Sequence, residues 1–174
     1  VGSPLRWLDR HRSAFLYKDM ARDWVHRFKF GNQTRIRTAM VEAMLRNRGI
    51  CQLLAGADTV TYVPMQRLAL AKRGYNTAAL LAYGIAKQAG LPIVNTVVRK
   101  SGAKQHLQPI SKRTRNIAGQ FRLVTKKKWQ TVVLIDDVST SGATVEEIAR
   151  LLKQNGCAKT VYAATFATTP NHLL

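Results

Sequence analysis

Acidic residues and cysteines are what this sequence has little of. Nine Asp and Glu stand against 28 Lys and Arg, a formal net charge of +19 on 174 residues. The deficit is also local: between Asp58 and Asp136 there is no acid at all, against 14 Lys or Arg. Part of that excess is a solvated basic surface. Its size in one chain favours a field that draws in polyanions such as nucleic acid. The two cysteines, Cys51 and Cys157, lie far apart and match no metal-ligand spacing. No disulfide framework and no zinc site are expected, which reads as a reduced, cytoplasmic protein. No apolar run approaches membrane-spanning length, no signal peptide is visible, and there are no repeats or low-complexity tracts. The chain starts at Val1 rather than Met, so a trimmed N-terminus is expected. A composition that is 46% hydrophobic at this length predicts one compact unit with a substantial core.

What is present is organised around residues 131–144, TVVLIDDVSTSGAT. Residues 131–135 are apolar or β-branched with no helical period, as in a strand buried on both faces of a parallel sheet. The run ends in Asp136 and Asp137. A small, hydroxylated stretch follows, with Ser139, Thr140, Ser141, Gly142 and Thr144. A helical pattern then begins, with Val145, Ile148, Ala149, Leu151 and Leu152 apolar. In an open α/β sheet, ligands bind beyond the carboxyl ends of the strands. A turn there offers backbone N–H groups at a helix N-terminus, where an anion is favoured. Gly142 allows close backbone approach. That describes a phosphate cradle. Two carboxylates beside a phosphate need another task, such as accepting from sugar hydroxyls or holding the waters of a Mg²⁺ ion. Phosphate, diol and metal together suggest a phosphorylated ribose. A receiver-like acidic strand end and a Walker-B-like strand are the alternatives, but both lack a hydroxyl-glycine turn at this offset. A plain strand followed by a capped helix remains the bland reading.

Elsewhere the pattern alternates between helix and strand. Residues 1–31 read as an amphipathic helix, with Trp7, Leu8, Phe15, Leu16, Met20, Trp24, Val25 and Phe28 near helical spacing. A second helix is expected at 35–47, capped by Thr34 and ended by Gly49. Residues 58–64 read as the first strand, with Met65, Gln66 and Arg67 at its carboxyl end. Lys72-Arg73-Gly74-Tyr75-Asn76 opens a helix running to Gly90, with Asn76 or Thr77 as cap. Residues 92–99 read as the second strand. Residues 100–120 are polar and basic without a period, which suits a mobile lid that closes on the site and lays Lys100 and Lys104 against a departing anion. A short helix at 111–117, capped by Ser111, is expected within it. His106 has no second ligand spaced with it. Residues 121–124 read as a short strand, 126–128 as a solvated turn or a phosphate contact, 143–154 as a helix and 159–165 as the last parallel strand.

Ile135-Asp136-Asp137-Val138-Ser139-Thr140-Ser141-Gly142-Ala143-Thr144 resembles the phosphoribosyl-pyrophosphate (PRPP) signature of type I phosphoribosyltransferases. Val63-Pro64, Arg67, Lys72-Arg73-Gly74-Tyr75-Asn76, Arg99-Lys100, Gln105, Arg113 and Asn116, in that order, resemble the ComF family of competence proteins. Phe28-Lys29-Phe30-Gly31 resembles a patch of the same family. The resemblance spans roughly residues 27–166. It implies an α/β fold of type I phosphoribosyltransferase kind: a mostly parallel central sheet flanked by helices, an N-terminal helical segment over residues 1–50 packed on a domain of residues 51–174, and a flexible lid. It implies PRPP with Mg²⁺ as ligand. Asp136 and Asp137 would face ribose hydroxyls and hold the metal through water. Residues 138–144 would hold the 5′-phosphate. Met65, Gln66, Arg67 and Arg99 would face pyrophosphate. It also implies single-stranded DNA as partner, on Lys29, Lys72, Arg73, Tyr75, Lys112, Arg113 and Arg115, and contact with other DNA-uptake proteins. Many members begin with a four-cysteine zinc module, whose cysteines this sequence does not carry. Three functions stay open: a DNA-handling competence protein with a PRPP site, a nucleobase salvage enzyme using Asp136, Asp137, Lys100 and Lys104, or a PRPP sensor that binds nucleic acid without chemistry.

Overall fold

One long central strand, β5 (Trp129–Ser139), sets the architecture. It pairs in parallel with β6 (Ala158–Thr168) on one side and β2 (Thr59–Tyr62) on the other, and β1 (Arg10–Leu16) closes the far edge beyond β6. The order is β1-β6-β5-β2, all parallel. The structure is a computed structural model and describes residues 6–30, 35–100 and 117–169. Val132, Val133, Leu134 and Ile135 are fully buried, as a strand covered on both faces requires. Alternate residues serve two cores. Val133 and Ile135 face α1 (Asp19–Phe30), α2 (Ile36–Leu45), α3 (Arg48–Ala55) and α5 (Thr77–Ala89). Val132 and Leu134 face α6 (Ala143–Gln154) and a two-stranded antiparallel hairpin, β3 (Val97–Arg99) with β4 (Phe121–Leu123). The α/β class and the parallel sheet flanked by helices are as the resemblance implied. The helix at 143–154 and the short strand at 121 also hold.

Several expectations require correction. Residues 1–31 are not one helix: β1 occupies its middle and α1 begins only at Asp19. The apolar spacing misled because the open edge of β6 offers backbone partners that periodicity cannot register. Asp9 fixes that pairing, accepting the Val161 N–H at 2.8 Å and meeting Lys153 at 2.6 Å. Gly49 does not end the second helix. It lies in the first turn of α3, capped by Asn47, whose side chain accepts the Ile50 N–H at 3.1 Å. A Cβ on Gly49 would stand 2.9 Å from the Arg12 side chain, so this glycine serves packing rather than termination. Residues 92–99 contribute a single bridge, Ile93 with Val60, and then leave the main sheet for the hairpin. Lys72 and Arg73 close a short helix, α4 (Arg67–Arg73), rather than opening the next. Gly74 caps α4 in the left-handed region at φ 83°, and α5 starts after Asn76, whose side chain accepts the Ala79 N–H. β5 and β6 each run further than expected, because the ladder continues through Asp136↔Thr165 and Ser139↔Thr168. Of the segment 100–120 expected to form a lid, residues 101–116 lie outside the described residues, as does the cap Thr34.

α2 and α5 approach closely at Gly84 of α5, where an added Cβ would sit 2.7 Å from Val41 of α2. Val41 is buried and β-branched, so it cannot turn away freely. Gly84→Ala is expected to cost about 1–2 kcal/mol, overpacking offset in part by alanine's helix propensity. Chemical denaturation checks this, and Val41→Ala added to it should recover part of the overpacking loss.

Candidate functional site

The site grows from the carboxyl end of β5. Asp136 and Asp137 are consecutive in a strand, so their side chains leave on opposite sides. Asp137 is buried toward α1 and α5. Its Oδ1 lies 2.9 Å from Lys29 Nζ, near the end of α1, and its Oδ2 accepts from the Thr77 hydroxyl at the start of α5. Asp136 accepts the Asp137 backbone N–H at 2.8 Å. Burial holds the Asp136 carboxyl well above its ordinary range, and the neighbouring Asp137 charge pushes the same way. The Asp137 N–H and Lys29 pull it back only in part.

The two carboxylates share a cavity of about 220 Å³ with Met65, Gln66 and Arg99, three of the four residues expected to face pyrophosphate; the fourth, Arg67, lines the neighbouring cavity. Lys29 and Arg73, expected on a nucleic-acid face, also line it, as do Asn76 and Thr77. A second cavity of about 550 Å³ shares the wall formed by Pro64, Met65, Asn76 and Arg99. Four cations, Arg67, Arg99, Lys100 and Arg122, line it and no acid does. Arg99 is held between the Gln120 side-chain Oε1, which accepts from it at 2.5 Å, and the Phe121 ring at 5.6 Å. Its burial lowers the guanidinium pKa from the ordinary value.

Residues 140–142 form the turn into α6, with Gly142 at φ 66° and no side chain capping the first helical turn. Its first N–H groups therefore have no side-chain acceptor at the cap. Thr168 and Thr169 of the β6 end brace the turn through the Ser139 and Thr140 carbonyls at 3.1 and 2.7 Å. The Ser139 hydroxyl is buried without a partner. Neither cavity above is lined by residues 138–144, so the turn stands as a separate wall beyond the acid pair.

On the remaining expectations the structure is specific. Tyr75 is partly buried, its hydroxyl donating to the Phe28 carbonyl and its ring 6.0 Å from that of Phe28. Lys72 is exposed, and the Arg73 guanidinium lies 5.3 Å over the ring of Phe30, itself 67% exposed. Lys104, Lys112, Arg113 and Arg115 lie outside the described residues. Sequence reading named Asn76 and Thr77 only as alternative helix caps, and it did not place them in the site, nor Arg122, nor the contact of Lys29 with Asp137. The only prior signal was Asn-Thr at a helix start opposite an acidic strand end.

The donor set was tested for a metal. Among the described residues no group of three or more His, Cys, Asp or Glu comes together. An all-protein cage is therefore not offered. Two adjacent carboxylates fit Mg²⁺, which keeps most of its waters and draws its other oxygens from a bound phosphate.

A parallel α/β sheet with an acid pair and a hydroxyl-glycine turn at one strand end defines the type I phosphoribosyltransferase class. The backbone agrees: glutamine phosphoribosylpyrophosphate amidotransferase from B. subtilis, solved with ADP and GMP, superposes with a TM-score of 0.50. It is 18% identical, and the match covers 80% of this chain and 30% of that one, which shows the fold alone. The family model for the phosphoribosyl transferase domain matches residues 68–173, and the chain belongs to that family, in its ComF-type branch. DNA utilization protein YhgH of Salmonella typhi is 32% identical over 139 residues, 77% of this chain and 61% of the relative. Competence protein F of Haemophilus influenzae is 29% identical over 140 residues, with 76% and 61% covered. The chain thus spans about three fifths of the length of these relatives.

A raised carboxyl pKa has a defined consequence. The folded state holds the Asp136 proton more tightly than the unfolded one, whose pKa is near 3.8. Stability therefore falls as pH rises from about that value through the folded pKa, and the loss persists above it. Asp136→Asn removes the loss. It is expected to unfold at higher denaturant than the wild type at pH 7, with the difference closing toward pH 4. Paired denaturation curves at the two pH values measure it.

Proposed function

We propose that this chain binds PRPP with Mg²⁺ at the end of β5 and serves in the handling of DNA, holding single-stranded DNA on its basic face. One observation carries the reading: the acid pair, Met65, Gln66 and Arg99 wall a single cavity that adjoins a second whose charged lining residues are all cations. A PRPP molecule needs that sequence of surroundings. Its ribose hydroxyls would meet Asp136 and Asp137. Its 5′-phosphate would lie against the α6 turn, Ser139 to Thr144. Its pyrophosphate would point toward Arg67, Arg99 and Lys100, with Lys104 brought in by the lid. Bound Mg²⁺ would neutralise charge on the pyrophosphate. If a group is transferred, the protein's own share is positioning and charge stabilisation. The names of the relatives, DNA utilization protein and competence protein, support a role in DNA handling. The +19 charge supports polyanion binding independently.

Calorimetric titration tests the small-ligand site. Wild type is expected to bind PRPP in the presence of Mg²⁺, and Asp136→Asn/Asp137→Asn to bind at least about 100-fold more weakly, a loss of roughly 2.7 kcal/mol. Absence of heat with the wild type would sink the site reading. For DNA, a salt titration is diagnostic. The affinity for single strands should fall with added salt by a log–log slope of about −0.7 per phosphate neutralised. A flat response, or no binding at low salt, argues against a DNA role for the basic face.

A further inference from the structure

Lys29 stands between two spaces. On one side it lines the acid-pair cavity, with Nζ 2.9 Å from Asp137 Oδ1. On the other it lines a cavity of about 430 Å³ opened by Phe30, Lys72, Arg73 and Tyr75. Its side chain is 24% exposed, against 7% for that of Asp137. The helix beneath it does not move with it: Phe28 is fully buried, and its carbonyl accepts from the Tyr75 hydroxyl. Only the four-carbon stem of Lys29 is free to carry the ammonium from one cavity to the other.

We propose that Lys29 is a displaceable internal counter-ion, which neutralises Asp137 while the site is empty and yields that carboxylate to a divalent cation. This rests on the reading of the acid pair as the place where Mg²⁺ binds with PRPP. Two carboxylates this close repel each other, and a buried one needs a cation. Lys29 supplies that charge from within the chain. An ammonium 2.9 Å from Asp137 Oδ1 cancels that oxygen's charge and repels a divalent cation approaching it. Cation entry is therefore opposed until the ammonium moves away. The outer cavity offers it open space beside Phe30 and Tyr75, although Arg73 already lies 5.3 Å over the Phe30 ring. Lys72 and Arg73 in the same cavity oppose its arrival, so the exchange is reversible rather than a one-way release. An anion seated among those three cations would draw Lys29 outward and strengthen cation binding at the acid pair. The two events are then linked reciprocally.

Two measurements test this. Free Mn²⁺, followed by electron paramagnetic resonance, gives the cation affinity of wild type, Lys29→Met and Lys87→Met. Lys87, in the last turn of α5, lines none of the three cavities and controls for the lost charge. Lys29→Met is expected to bind Mn²⁺ about tenfold more tightly than wild type, and Lys87→Met like wild type. Because Lys29→Met leaves a buried carboxylate unpaired and can fail to fold, the second measurement uses the wild type alone. Acetylation by acetic anhydride, mapped by mass spectrometry, should be slow at Lys29 without Mg²⁺ and several-fold faster with it, while Lys87 stays unchanged. Mn²⁺ binding by the wild type with no gain in Lys29→Met, or with Lys29 labelling unmoved by Mg²⁺, overturns the proposal and leaves the cation site standing. No Mn²⁺ binding by any of the proteins overturns the proposal, while the reading of the PRPP site is judged separately by the calorimetric titration with PRPP.

Discussion

Two carboxylates side by side at a buried strand end repel each other and resist losing water, and much of the surrounding structure answers that strain. Asp137 points into the α1–α5 side and receives a lysine from one helix and a hydroxyl from the other. Asp136, left with its neighbour's backbone N–H, is held toward its protonated form. The arrangement is half satisfied. It is stable enough to fold around, yet one carboxylate is under-compensated in the empty state. Under the proposed function, a bound cation or a sugar diol would relieve that condition.

The scarcity of acids becomes intelligible from the same view. Among the nine, Asp9, Asp58, Glu146 and Glu147 accept backbone N–H groups from other segments. Asp58 holds the start of β5, accepting from Gln130 and Thr131. Glu146 holds the approach to β1 through Arg6, Trp7 and Leu8. Glu147 holds Gly119, just ahead of β4, and is itself fixed by Arg150. These contacts consume negative charge in building the fold. The cations that face the two main cavities and the outer groove are then met by few acids beyond the central pair.

The centre of the fold was legible in the sequence because its signals are local. A run without helical period, two acids, a hydroxyl-glycine turn and an amphipathic helix state strand, site and helix within one short stretch. Asn76 as a helix cap was legible for the same reason. What was not legible depends on distant segments. β1 is a strand because β6 offers an open edge, and nothing in residues 10–16 announces that edge. Gly49 reads as a stop but serves the passage of Arg12. Lys29 reads as one more surface cation, and only the approach of α1 to the end of β5 makes it the partner of Asp137. Thr77 enters the site by the same convergence. The hairpin of β3 and β4 was half legible: its residues favour strand, but their departure from the main sheet depends on how Ile93 and Thr96 anchor to β2.

The central proposal is that the acid pair, the α6 turn beyond it and the cationic cavity act together in binding PRPP. Phosphorus-31 resonance of PRPP, titrated with the protein in Mg²⁺, tests it most directly, because each phosphate reports its own surroundings. The account predicts that the 5′-phosphate and both pyrophosphate signals shift or broaden together, with the same dependence on protein concentration. Perturbation of the pyrophosphate signals alone would contradict it, since that is the mark of a basic surface holding an anion without a ribose phosphate site.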